Sequence, residues 1–67
     1  MKVTVNNTEY NLPTGATVSD LLESLKIRNL RGTALAVNGE IVPDDRWQHT
    51  LIKDQDQVLM IEAVQGG

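Results

Sequence analysis

Cysteine is absent from this 67-residue chain, which excludes disulfide staples, thiolate zinc sites, iron–sulfur clusters and a cysteine nucleophile. Histidine occurs once, as His49, too few for a multi-histidine metal centre. Phenylalanine is missing, and Trp47 is the single tryptophan, so that ring is expected in the core rather than on a binding surface. Long apolar runs are missing too. The longest, Ala34 to Val37 and Val58 to Ile61, span four residues each, too short for a membrane span or a signal-peptide core. Positive charge is in the minority: six Lys plus Arg against nine Asp plus Glu leave a net charge of -3. That acidic balance repels phosphate backbones and argues against nucleic-acid binding. What remains, with 40% hydrophobic and 22% charged residues, is one small globular domain, expected to be soluble and cytoplasmic. A chain this short buries only roughly 60% of its unfolded surface, so its core is marginal.

Met1 to Val5 alternates apolar and polar residues, the period of a half-buried strand. Asn6-Asn7 then suits a tight hairpin turn, because Asn tolerates positive φ. Thr8 to Leu12 alternates again, and Pro13-Thr14-Gly15 ends it. The clearest helix signal follows: Thr17 as N-cap, Asp20 closing a capping box, and Val18, Leu21, Leu22 and Leu25 on one stripe. This spacing predicts a helix from Val18 to about Arg28, with Lys26 and Arg28 offsetting the negative end of its dipole. Thr33 to Val37 leads into Asn38-Gly39, a strong hairpin signal, and Glu40 to Val42 returns until Pro43 stops it. Asp44 to Trp47 reads as one helical turn, Thr50 to Ile52 as a short edge strand, and Gln57 to Val64 as a central strand. The order ββαβββ predicts an α+β fold, a mixed sheet curled around one helix as in ubiquitin-like β-grasp domains. The last strand is expected beside the first, in parallel. The domain then covers residues 1–64, and residues 65–67 form a flexible tail.

Catalysis by this chain finds no support in its residues. Ser19 and Ser24 have no base nearby in the pattern and read as helix residues. His49 reads as a solvated ring, and the Asp44-Asp45 and Asp54/Asp56 pairs as turn formers without the Gly and distal Glu of a calcium loop. Gly15 belongs to no phosphate loop. Neither a metal nor a cofactor is expected on the chain. Gly66-Gly67 stands apart. Its bland interpretation is a frayed end. Its functional one is a thin peptide, free of Cβ atoms, that enters a cleft closed to any side chain. The terminal carboxylate is a poor electrophile until AMP transfer from ATP makes it an acyl-adenylate, after which a sulfur donor displaces AMP and leaves a thiocarboxylate. With no cysteine to hold sulfur, the terminus is the place for it.

Val37 to Pro43, Trp47, Asp54-x-Asp56-x-Val58 and the terminal Gly66-Gly67 together resemble the ThiS family, sulfur carriers of thiamine biosynthesis. Thr17-Val18 and Leu21-Leu22 extend the likeness to nearly the whole chain. The resemblance implies that a ThiF-type adenylyltransferase uses ATP to activate Gly67, that a cysteine-desulfurase relay supplies sulfur, and that thiazole synthase (ThiG) receives it for thiazole phosphate. Gly66 and Gly67 would thread the partners' active sites. Ala63, Val64 and Gln65 would touch the activating enzyme, and Leu59 and Ile61 would offer a hydrophobic docking patch if the register turns them outward. Acidic residues would steer encounter, with an effect that fades in salt. One residue departs from the family pattern: Gln55 stands where Gly is usual between the two aspartates, at a cost of roughly 1 kcal/mol if the turn needs positive φ. Three other functions share the same fold: a MoaD-like carrier for molybdopterin, a ubiquitin-like protein modifier, and a non-covalent β-grasp binding module.

Overall fold

The computed structural model describes residues 1–27 and 32–62, with the backbone alone at Glu62. Two hairpins and a central strand make the sheet. The first hairpin joins β1 (Lys2–Val5) to β2 (Thr8–Asn11) in antiparallel register. Its turn carries φ 50° at Asn6 and 69° at Asn7, the positive values that a type I′ connection requires. The second joins β3 (Thr33–Val37) to β4 (Glu40–Ile41), and Asn38 and Gly39 turn at φ 51° and 86°. The central strand, β5 (Gln57–Glu62), lies between β1 and β3 in the order β2-β1-β5-β3-β4. It runs parallel to β1 and antiparallel to β3. The expected pairing of the first and last strands is therefore present, and burial of Val3, Val5, Leu35 and Val58 marks the inner face.

Across that face lies α1 (Val18–Ser24), with Val18, Leu21 and Leu22 buried. Its amino end is fully partnered. Thr17 and Asp20 close the reciprocal capping box, at 3.2 Å and 2.9 Å. The Val18 and Ser19 N–H groups donate to the carbonyls of Thr50 and Trp47, so the loop that follows the second hairpin satisfies donors the helix leaves open.

Several boundaries differ from expectation. The helix stops at Ser24 rather than near Arg28, because Lys26 turns left-handed at φ 57°. The Lys26 and Ile27 N–H groups then donate to the Glu23 and Leu22 carbonyls, a Schellman closure with lysine where glycine is usual. Lys26 thus lies beyond the last helical turn, which holds no basic residue, and Arg28 is outside the described residues. Thr50 to Ile52 is not an edge strand: among the described residues one bridge, Thr17 to Leu51, is all that forms. Its partner segment becomes helix at Val18, so no second residue pair is available to extend a ladder. The predicted turn at Asp44 is a 3-10 segment, Asp44–Arg46, with Pro43 at its cap. Trp47 folds under it to 5% exposure and donates its indole N–H to the Val42 carbonyl at 2.9 Å. Among the described residues no helix is long and apolar enough to cross a membrane.

Candidate functional site

Alternation along β5 decides what the sheet shows to solvent. Val58 points inward and is 4% exposed, while its neighbours Leu59 and Ile61 are 55% and 59% exposed. The register places Leu59 opposite Ala36 and Ile61 opposite Ala34 on β3, and Ala36 in turn opposite Ile41 on β4. These five side chains surround one shallow apolar depression on the face away from the helix. The two alanines form its floor. Ile41 makes one wall, at 76% exposure, and Leu59 with Ile61 makes the other. Exposed aliphatic side chains gathered this way offer apolar area whose full burial is worth about 1.5–3 kcal/mol for each residue. The other half of the same face is polar, with Lys2 and Glu9 paired at 3.7 Å.

Leu59 and Ile61 thus occupy the outer face, as docking requires. Sequence reasoning missed Ile41, Ala34 and Ala36. A signal for one pair was present, since a two-residue turn at Asn38-Gly39 sets Ala36 opposite Ile41. Nothing local could join that pair to Leu59, whose place depends on a partner strand some twenty residues away. Ala63, Val64, Gln65, Gly66 and Gly67 lie outside the described residues.

The strand that leads toward Gly66-Gly67 is held by side chains as well as by its neighbours. Asn38 donates through Nδ2 to Asp56 at 2.9 Å and accepts the Gln57 N–H at 2.9 Å. Asp56, 8% exposed, also accepts the Lys53 N–H at 2.8 Å. Asp54 accepts the Lys2 N–H at 2.8 Å, and that bond, aided by the Gln55 side chain, lowers its carboxyl below the ordinary value of 3.8. Between them Gln55 adopts φ 71°, so the turn keeps the geometry for which glycine is suited. Trp47 is core and His49 is exposed, as their readings required. Among the described residues no three His, Asp or Glu side chains converge as a metal site.

The sequence profile of the ThiS family matches residues 2–67. The sulfur carrier protein ThiS of Escherichia coli K12 is 37% identical over 67 residues, covering all of both chains. A crystal structure of the thiamine biosynthesis protein ThiS from Geobacter metallireducens superposes with a TM-score of 0.84 at 28% identity, again over both whole chains. A solution structure of a thiamine biosynthesis protein from the same organism gives 0.82 at 28% identity, over the whole chain and 88% of the other.

Proposed function

The chain belongs to the ThiS family, sulfur carriers of thiamine biosynthesis, and from that premise we propose that its Gly67 carboxylate carries the sulfur. A ThiF-type adenylyltransferase transfers AMP from ATP to that carboxylate and releases pyrophosphate. The terminal sulfur of a persulfide carried by a cysteine-desulfurase relay attacks the acyl carbon and expels AMP. A thiol then cleaves the S–S bond of the resulting acyl disulfide, which leaves a disulfide and the thiocarboxylate. Thiazole synthase (ThiG) takes the sulfur from it for thiazole phosphate. The chain acts as a co-substrate of these cytoplasmic enzymes, and ATP is bound by the activating partner. Residues 1–64 are the recognised body and residues 65–67 the reactive tail.

The observation that carries this reading is the reach of the family match, which extends through Gly66 to Gly67. The body supports it in a second way. Two walls of the depression, Leu59 and Ile61, belong to β5, the strand from which five residues of sequence lead to Gly67, so a partner seated on the depression lies within a short span of the terminus. Two consecutive glycines leave the partner's cleft no side chain to accommodate. Incubation with ATP, a ThiF-type enzyme and a sulfur donor should replace one terminal oxygen by sulfur, read in the intact mass. Ladders of protein conjugates instead would indicate a modifier. Rescue of a molybdenum-cofactor-deficient strain, and not of a thiamine-requiring one, would indicate a MoaD-like carrier.

A further inference from the structure

The parallel pairing of β1 with β5 ends at Val5 and Val58. The Asn6 N–H adds one more bond, to the Val58 carbonyl at 3.0 Å, and the chain then leaves the sheet through the hairpin turn. Met60 would face an empty edge there. Instead the Asn6 carboxamide takes the place of a departed peptide group. Its Nδ2 donates to the Met60 carbonyl at 3.0 Å, and its Oδ1 accepts the Met60 N–H at 2.8 Å. A primary amide offers one donor and one acceptor on the same side, so it completes the ladder by one rung. Asn7, equally left-handed at φ 69°, serves the turn alone. Turn geometry therefore does not account for what Asn6 does. Beyond Met60 the strand keeps β3 as its neighbour, through Ala34 to Ile61 and Thr33 to Glu62, and among the described residues nothing pairs its other edge.

We infer that Asn6 is a positioning residue: its carboxamide sets Met60 as the last two-sided anchor of β5 and thereby fixes where and in which direction the reactive end departs. This rests on the carrier reading for its consequence, though not for its geometry. From Met60, seven residues lead to Gly67, a reach of at most roughly 25 Å. A freed anchor widens the volume the terminal carboxylate explores and lowers the fraction of docked complexes in which it meets the activating centre.

Asn6→Gly tests this, because glycine keeps the positive φ at no steric cost and removes only the amide. In ATP-dependent charging by the activating enzyme, kcat should fall by roughly tenfold while KM for the chain stays unchanged, since the apolar depression is intact. Exchange of the Met60 amide hydrogen should accelerate, and the NMR order parameters of the Ile61 and Glu62 amides should drop. Asn6→Asp, which keeps the acceptor but sets a carboxylate against the Met60 carbonyl, should show the same kcat loss. Parental kcat in Asn6→Gly, a loss confined to KM, or parental order parameters at Ile61 and Glu62 would each overturn the inference. Failure of the parent chain to take up sulfur would remove the carrier reading, and the order parameters would still decide whether Asn6 anchors the strand.

Discussion

At the scale of single residues, Gln55 and Asp54 share one turn and put opposite demands on it. Gln55 is held at φ 71°, where a Cβ costs about 1 kcal/mol. Gln55→Gly should therefore raise the melting temperature by roughly 4–8 °C and leave sulfur loading unchanged. A thermal melt that shows marked destabilisation would contradict the strain. Asp54 instead stabilises the turn through its bond from the Lys2 N–H. Its folded value lies below 3.8, so its contribution is complete above that pH and disappears as the pH falls through the lower, folded value. Stability measured in denaturant from pH 6 down to about pH 2 should decline less in Asp54→Asn than in the parent, since the amide cannot titrate there. The departure at Gln55 was legible in the sequence as a break in the Asp-x-Asp pattern. The positive φ was not, because a turn of this length closes in more than one way.

The helix shows the same contrast between its two ends. Thr17, Asp20 and the Val18/Leu21/Leu22 stripe announced its start, and capping box and burial agree with them. Its end was misplaced by about a turn. The apolar stripe continues to Leu25 and no glycine interrupts it, whereas Ile27 would lie on the opposite side of a continued helix and yet is packed, half-buried, against the core. Chain reversal at Lys26 is therefore imposed by packing of Ile27 rather than by local preference. Replacing that residue should relieve the strain: Lys26→Gly is expected to stabilise the domain by about 1 kcal/mol in a denaturant titration, with an unchanged m-value. The Thr50 to Ile52 segment failed as a strand for a related reason. Its β-prone composition was real, yet the segment it meets, Ala16 to Val18, turns into helix after two hydrogen bonds.

For the whole molecule, function depends on keeping apart what is packed and what is presented. The inner face of the sheet holds the core, from Val3 and Val5 to Leu35 and Val58, and the outer face presents Ile41, Leu59 and Ile61. Leu59→Lys should accordingly leave the melting curve within about 0.5 kcal/mol of the parent. It should raise KM for the activating enzyme by tenfold or more, since a lysine there loses roughly 1.5–3 kcal/mol of apolar burial. Steady-state charging kinetics measure the effect. A KM at the parental value would remove the outer face from the docking surface.

The sequence by itself determined the strands of both hairpins, the asparagine turns, the helix start and the double glycine, because each is written within a few residues through periodicity, φ preference or the lack of a Cβ. Tertiary structure alone decided which side of β5 meets solvent, that alanines of β3 floor the depression beside it, and that the Asn6 amide reaches Met60. Those outcomes follow from pairing between distant segments, β3 with β5 at more than twenty residues and β1 with β5 at more than fifty. Side chains alternate along a strand, so a slip of one position in that pairing would have exchanged the core for the exposed face.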